Sequence, residues 1–421
     1  MSERQRSVEF TAAVATNDPS STLIHTHKTW SPENKIAALQ ERVEDLGAVL
    51  GRDHPETLRF RNELAMAYQE AGDAGQAIQR LEELSEDYQR ILGQEDISTL
   101  TAETNLAVAY QSAGRLRESI ALLQSALPRL QKIGGPDHPT TLAAQNNLGS
   151  ALQELGDFEQ AAPFLQAATK GYVRTYGRLH PEALAAQNNL ASLFLANGDL
   201  QRARELFEEV AAGYREALGI THSDTLRALN NLATIYSRTG DLARTVQLRE
   251  EVAAAHKTRH TPDHPEVIQA CTHLATAYIK LGALDKALTV LEDILATFET
   301  VKPEDEEAQF PTKLRIISVL LNQRSPQKAL SFFNEKYSAA NLAKLDTEKH
   351  AALLAVGGML HAFAGLSTQG AELLEQSAAM IDDHPNLVRE GGILDQAISM
   401  VRQVIIEGHV PPGDAGGSDA S

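Results

Sequence analysis

The feature that most constrains this chain is a period of 42 residues that recurs along much of its sequence. Three columns of residues keep this spacing over six copies, without an insertion or a deletion between them. They are the histidine of an Asp-His-Pro motif, a leucine and a glycine, and they read His54, Asp96, His138, His180, His222, His264; Leu64, Leu106, Leu148, Leu190, Leu232, Leu274; and Gly72, Gly114, Gly156, Gly198, Gly240, Gly282. A fixed period of this length predicts an array of like structural units.

Each unit predicts two helices joined by a turn. The first helix begins near a proline such as Pro139, a favoured first helical position. It carries apolar residues at helical spacing, as in Leu142, Leu148 and Leu152, and it ends at the glycine column, which suits a left-handed turn. A column of small residues in the second helix permits close helix approach: Ala77, Ser119, Ala161, Ala203, Thr245 and Ala287. One such pair cannot bury its apolar face alone, so the units are expected to stack into a solenoid.

These residues resemble the tetratricopeptide repeat. The resemblance rests on the leucine column, the aromatic or leucine residue that follows it, and the Gly-Asp-Leu-x-x-Ala pattern at the turn. The length of 42 residues, with HPxTL, NNLAxxY and GD segments, resembles the kinesin-light-chain type of this repeat, over roughly residues 33–305. The resemblance implies an all-α, right-handed superhelix of helix-turn-helix repeats that binds proteins or peptides in a concave groove.

The chain is predicted to divide into six stretches. Ser31-Pro32-Glu33 is a good helix start, and the helix after it aligns with a second helix, so it forms half a repeat. Asp383-His384-Pro385 returns near the end of the sequence. The predicted stretches are a disordered arm (1–30), an N-terminal capping half-repeat (31–53), six 42-residue units (54–305), two degenerate helical hairpins (306–383), a C-terminal capping helix (384–410) and a disordered tail (411–421).

Composition argues against several classes of partner and site. The formal net charge is −18 and the pI is about 5.2, which argues against binding to nucleic acid or to anionic membranes. The single cysteine, Cys271, excludes a Cys-rich metal site. We see no signal peptide and no apolar run long enough to span a membrane, so we expect a cytoplasmic protein. No phosphate-binding loop, nucleophile elbow or zinc-protease motif is present, and we predict no catalytic residue, cofactor or metal.

The repeated histidines are interpreted as helix caps. Residues of one column lie one repeat apart along the stack, so they cannot converge on one ion or substrate atom. Asp96 replaces histidine in the second copy, and aspartate is a strong N-cap residue. The column therefore predicts the start of each first helix.

The resemblance implies that positions −2, +2, +5 and +6 from the leucine column face the groove. The −2 column holds asparagine or threonine, which are mediocre helix formers, and an amide side chain can both donate to and accept from a peptide backbone. We assign the second asparagine of each pair, such as Asn147, to the fold. The predicted partner-binding residues are Asn62, Asn146, Ser150, Asn188, Ser192, Arg227, Asn230, Thr234, Arg238, Thr272, Thr276 and Lys280.

Charged residues are unevenly distributed along the predicted groove. Glu70 and Glu154 lie early, whereas Arg227, Arg238 and Lys280 lie late, so an acidic segment of a partner is expected to favour the late repeats. Chaperone-binding relatives use lysine at −2 and asparagine at +2. Those residues do not stand there, so chaperone-tail binding is not predicted.

We interpret the chain as a non-catalytic scaffold or adaptor for a protein or peptide, and other functions stay open. One is a peptide-sensing regulator, and another is an accessory factor, maturation factor or enzyme with a site in 306–410. A motor light chain would need a long N-terminal heptad coil, and only Ile36 to Leu50 is available, so this role is disfavoured. In a further alternative, the arm that carries Trp30 folds back into the groove. The sequence does not decide the oligomeric state.

Overall fold

The computed structural model describes residues 31–337 and 345–384. Trp30 and its arm, the predicted helix from residue 385 onward and the tail lie outside the described residues. Within the described segments the regular secondary structure is α-helical throughout. The prediction of an all-α array of helix-turn-helix repeats is confirmed.

After α1, the helices follow one another in pairs, with short connections between them. They are α1 (Pro32–Leu50), α2 (Pro55–Glu70), α3 (Ala74–Leu92), α4 (Ile97–Ser112), α5 (Leu116–Ile133), α6 (Pro139–Glu154), α7 (Phe158–Tyr176), α8 (Pro181–Ala196), α9 (Leu200–Leu218), α10 (Ser223–Thr239), α11 (Leu242–Arg259), α12 (Pro265–Leu281), α13 (Leu284–Val301), α14 (Glu306–Asn322), α15 (Pro326–Lys336), α16 (Thr347–Phe363) and α17 (Ser367–Asp383). The first helices of the six repeats are thus the even-numbered helices α2 to α12. None of the helices described is both long and apolar enough to cross a membrane.

The histidine column caps the first helices, as predicted. In α6, His138 Nδ1 accepts a hydrogen bond from the Thr140 backbone N–H at 3.3 Å. The same bond starts the helix at His54, His180, His222 and His264, at 3.2–3.3 Å. In the second repeat, Asp96 Oδ1 accepts from the Ser98 N–H at 2.8 Å. A side-chain acceptor at this position satisfies one of the unpaired N–H groups of the first turn.

The glycine column makes the turn between the two helices of each repeat. Its six members have φ between 74° and 88°, for example 88° at Gly156. This left-handed conformation is open to glycine at little steric cost. The backbone N–H of the next residue, Asp157, then reaches back to the Leu152 carbonyl at 2.9 Å, and the second helix begins at once.

The space between the helices is filled by the predicted small residues of the second helices and by a larger apolar residue four positions after each of them except Thr245. The small residues of the second helices are between 0% and 3% exposed. Leu81, Leu123, Leu165 and Phe207 are fully buried. Cys271 is also buried, at 4% exposure, and burial raises the pKa of its thiol. We therefore assign Cys271 to packing.

The described residues form two compact units, and the division between them falls within α10, between Ile235 and Tyr236. In the first unit the consecutive helices from α1 to α9 pack on one another, and α1 covers α2 through Leu39, Leu46, Phe60 and Leu64. The second unit contains α11 to α17, in which α16 packs closely on α17 and Ser377 donates a hydrogen bond to the Ala351 carbonyl at 2.9 Å.

Candidate functional site

The candidate site is the surface of the first helices that carries the predicted partner-binding residues. We call it the first-helix face and define it as positions −2, −1, +2, +5 and +6 from the leucine column in α2, α4, α6, α8, α10 and α12, together with Arg227 at position −5 in α10. Because the structure comprises two compact units, the face is described separately in each.

Asparagines of neighbouring repeats are hydrogen-bonded along this face in the first unit. Asn105 Nδ2 donates to Asn62 Oδ1 at 3.0 Å, and Asn189 Nδ2 donates to Asn146 Oδ1 at 3.1 Å. Each bond joins a −1 residue to the −2 residue of the repeat before. The two asparagine columns, which the sequence analysis assigned to different roles, are therefore partners in one interaction.

The hydrogen bond from Asn189 determines which group of the Asn146 side chain can bind a ligand. Its oxygen accepts from Asn189, and its side chain is half-buried, so its NH₂ group is the part left to donate. Asn62 is held in the same way. The −2 column thus presents donors whose orientation is set by the adjacent repeat.

Asn188 differs from the other −2 asparagines of the first unit, Asn62, Asn146 and Asn230, which are half-buried. It is 4% exposed, and its Oδ1 is buried without a hydrogen-bond partner among the described residues. The structure therefore does not place Asn188 at an accessible surface. An unpaired buried amide oxygen costs about 1–3 kcal/mol, so this position is a weak point of the fold.

Hydroxyl groups at +2 supply acceptors. Ser192 Oγ donates to the Asn188 carbonyl at 2.8 Å, and Thr276 Oγ1 donates to the Thr272 carbonyl at 2.9 Å. Thr234 makes the same bond to the Asn230 carbonyl at 2.9 Å. Since its proton is used within the helix, such a hydroxyl meets a ligand mainly as an acceptor.

A second row of cross-repeat bonds runs along the ends of the first helices. Gln69 Nε2 donates to Ser112 Oγ at 3.4 Å, and Gln111 Nε2 donates to Glu154 Oε1 at 2.5 Å. In the second unit, Lys280 Nζ donates to Ser237 Oγ at 3.1 Å. These bonds link a +5 residue to the +6 residue of the next repeat, so both columns are held in place before a ligand arrives.

A depression of about 430 Å³ opens on this face over α4, α6 and α8. It is lined by Val108, Gln111, Ser112, Asn146, Asn147, Ser150, Glu154 and Asn189. Two predicted contacts, Asn146 and Ser150, thus lie in one concave surface. Asn147 and Asn189 line it too, although we assigned their column to the fold. The signal for Asn189 in the sequence was a −2 asparagine, Asn146, 43 residues before it.

The charged residues of the face have different partners. Glu70 pairs with Lys35 at 2.6 Å, and Arg227 pairs with Asp224 of the same helix at 2.7 Å. In the second unit, the side chains of Arg238 and Lys280 are exposed. The early acidic charge is therefore partly neutralised, whereas the second unit presents exposed basic groups.

The aspartate and the histidine of the Asp-His-Pro motif both stabilise the fold. Asp137 forms an ion pair with Arg174 at the end of α7, and this hydrogen bond lowers the pKa of the Asp137 carboxyl. Asp53 and Arg90 form the equivalent pair in the first repeat, at 2.7 Å. Burial lowers the pKa of His138, which keeps its ring neutral and able to accept at Nδ1.

A family model described as tetratricopeptide repeat matches residues 98–174, 182–248 and 224–300, and a second model of the same description matches residues 57–98. The two together span more than half of the chain. A search of curated protein sequences gave no significant match.

Several solved structures are similar to the chain. The repeats of a putative kinesin light chain from Podosopora anserina are 31% identical over 49% of this chain and 98% of that chain, with a TM-score of 0.45. A signal transduction ATPase with a tetratricopeptide repeat sensor, from Pyrococcus horikoshii, is 14% identical over 84% of this chain and 54% of that one, with a TM-score of 0.52. The apo form of RapI is 11% identical over 84% of this chain and 99% of that one, with a TM-score of 0.50. At these low identities, the last two indicate the fold alone.

Proposed function

Because the chain belongs to the tetratricopeptide repeat family, with repeats of the kinesin-light-chain type, we propose that it is a non-catalytic scaffold for a protein or peptide partner. Proteins built from this repeat generally serve as protein-binding scaffolds. An extended segment of the partner lies along the first-helix face of the first unit. The observation that carries this proposal is the depression over α4, α6 and α8, with its hydrogen-bonded asparagines.

The chemistry of this face suits a peptide backbone. An extended segment presents N–H and C=O groups in alternation. Asn62 and Asn146 offer amide donors to its carbonyls, and Ser192 offers an oxygen to its N–H groups. Each such bond contributes about 1 kcal/mol net, and neither kind depends on the sequence of the segment. Specificity then comes from the partner's side chains.

Charge selects among partners in this proposal. Arg238 and Lys280 are exposed on the second unit, while the chain as a whole carries a net charge of −18. An acidic segment is repelled by most of the surface and attracted by these two groups. We propose that the partner carries an acidic segment which contacts Arg238 and Lys280.

Peptide selection tests the proposal directly. The full chain is used to select binders from a displayed library of random peptides, and their affinities are measured by calorimetry. Asn146→Asp keeps an oxygen for the bond from Asn189 but removes the NH₂ donor. Binding should weaken at least tenfold, which corresponds to about 1.4 kcal/mol.

The matched control is Gln166→Glu, which makes the same change from amide to carboxylate on an exposed residue of α7. This variant should bind like the unmodified chain. Equal affinity in the Asn146→Asp variant, or failure to select any peptide, contradicts the proposal. For acidic peptides, Arg238→Gln/Lys280→Gln should lower the affinity and its salt dependence together.

A further inference from the structure

Two histidines and a glutamate converge at the junction of α11 and α12 in the second unit. His256 lies in the last turn of α11, His260 caps its C-terminus, and Glu266 lies in the first turn of α12. One ligand atom from each side chain falls within 4.8 Å of the other two. This cluster plays no part in the first-helix face.

The distances within the cluster are close to those of a metal site. Glu266 Oε2 is 3.4 Å from His256 Nδ1 and 2.9 Å from His260 Nε2. Ligand atoms around a tetrahedral zinc ion, with bonds of about 2.1 Å, stand about 3.4 Å apart. One carboxylate-to-nitrogen spacing already fits, and the other opens by about 0.5 Å to reach that value. The two nitrogens lie within 4.8 Å of each other, so they must approach by at most about 1.4 Å to bind the same ion.

The two ring nitrogens have no other use in the fold. His256 Nδ1 and His260 Nε2 are buried, and neither makes a hydrogen bond within the described residues. Their separation from the carboxylate is short, but its geometry is not that of a hydrogen bond. Buried polar atoms are nearly always paired, so two such orphans that face one carboxylate point to a missing partner of positive charge.

The surroundings hold the ligands in place. The His260 N–H donates to the His256 carbonyl at 3.0 Å, which fixes the two residues one turn apart. The ring of His264 stacks on that of His260, with centroids 3.9 Å apart, and its Nδ1 accepts from the Glu266 N–H at 3.3 Å. His264 therefore orients one histidine ligand and the carboxylate-bearing residue together, as outer-shell residues of metal sites do.

The repeat supplies an internal comparison. Two repeats earlier, the same positions hold Tyr172, Tyr176 and Glu182, and the rings of Tyr172, Tyr176 and His180 form an equivalent stack. Packing in this place is thus achieved with tyrosines. Histidine replaces both of them only at the junction of α11 and α12 among the described repeats, and this exchange adds two nitrogen ligands beside the glutamate.

We infer that His256, His260 and Glu266 bind a divalent transition metal of the zinc class. Two imidazoles and a carboxylate suit Zn²⁺ and its neighbours, whereas Mg²⁺ and Ca²⁺ prefer oxygen ligands. The ion connects the second helix of one repeat to the first helix of the next. Because the folded chain holds the three ligands together, bound metal stabilises this junction.

The test uses the full chain after treatment with a chelator. Calorimetric titration with Zn²⁺ should give one equivalent of binding that excess Mg²⁺ does not compete away, with a rise in the melting temperature. His256→Tyr/His260→Tyr replaces both nitrogens with side chains that the chain itself uses at the equivalent positions. Loss of an outer-shell partner costs about 10–100-fold in affinity, so loss of two direct ligands should cost at least 100-fold.

His180→Asp is the control, because it removes a histidine from the equivalent stack while Asp96 demonstrates that aspartate can cap this helix. It should bind Zn²⁺ as the unmodified chain does. Glu266→Gln is a second variant, with little effect on packing, and it should also weaken Zn²⁺ binding. It provides the test if the double variant fails to fold. Absence of stoichiometric Zn²⁺ binding in the unmodified chain, or equal binding by the ligand variants, overturns the inference.

Discussion

Asn189 Nδ2 donates to Asn146 Oδ1 at 3.1 Å and joins α8 to α6. The bond couples the accessible asparagine of one repeat to that of the next. Ligand binding at the first-helix face and stacking of the repeats are therefore coupled, because the Asn146 amide takes part in both.

A double-mutant cycle measures this coupling. Asn189→Ala should destabilise the chain by about 1 kcal/mol, because it removes a hydrogen bond at a half-buried position. Asn146→Ala should do the same, and the double variant should lose less than the sum, with a coupling energy of about 1 kcal/mol. Urea unfolding followed by circular dichroism gives the free energies. Additive losses would show that the two side chains do not interact in solution.

Ion pairs with exchanged charges occupy equivalent positions in the first two repeats. Arg61 Nη1 lies 2.6 Å from Asp87 Oδ2, and Arg129 Nη2 lies 2.6 Å from Glu103 Oε2. Burial acts to raise the pKa of Asp87, but hydrogen bonds from Arg90 and Arg61 outweigh it and lower that pKa to about 2. The architecture thus accepts either polarity at this position.

Charge reversal tests that conclusion. Glu103→Arg places two cations together in a poorly solvated place and should destabilise the chain by about 3 kcal/mol. The exchange Glu103→Arg/Arg129→Asp reproduces the polarity of the first repeat, and Lys132 then stands where Arg90 stands there. It should recover most of the loss in urea unfolding. A double variant no more stable than Glu103→Arg alone would contradict the equivalence.

The cap of α6 predicts a dependence on pH. Burial lowers the pKa of His138 from its ordinary value of 6.5. Between the lowered pKa and pH 6.5, His138 therefore binds more protons in the unfolded chain than in the folded one. Stability therefore falls as the pH decreases from 6.5 through the lowered pKa. His138→Asp should retain the cap and lose this part of the dependence, whereas His138→Ala should cost about 1 kcal/mol at neutral pH.

Melting temperatures between pH 5 and 8 for the three proteins provide the measurement. Identical slopes for the unmodified chain and His138→Asp would show that another group causes the pH dependence.

At Gly171, in the third repeat, there is no room for a larger side chain. This glycine takes the position that Asp87 and Arg129 hold in the first two repeats, and an added Cβ would overlap Leu142 Cδ2. Gly171→Ala should cost about 1–3 kcal/mol through overpacking. At Gly75, in the first turn of α3, an added Cβ would make only an ordinary contact with Asp73 Oδ1 at 3.6 Å, so Gly75→Ala should be neutral or stabilising by up to about 1 kcal/mol. Thermal unfolding compares the two, and a stabilised Gly171→Ala variant would refute the close contact.

Much of this architecture follows from the sequence alone. The period of 42 residues, the two helices in each unit, the histidine and aspartate caps and the glycine turns are local features, each encoded within a few neighbouring residues. The apolar columns repeat with the helices that carry them. For these reasons the sequence by itself determined the fold class and the face of each helix that is buried.

Contacts between repeats, and polar contacts between the two helices of one repeat, were decided only by the tertiary structure. The bonded asparagines are 43 residues apart, one more than the period, and the exchanged ion pairs are 26 residues apart. Such pairs join different columns, and the offset between stacked helices depends on how their side chains pack. The same is true of His256, His260 and Glu266, which two helix ends bring together. A periodic sequence shows which positions are alike, whereas three-dimensional packing decides which unlike positions meet.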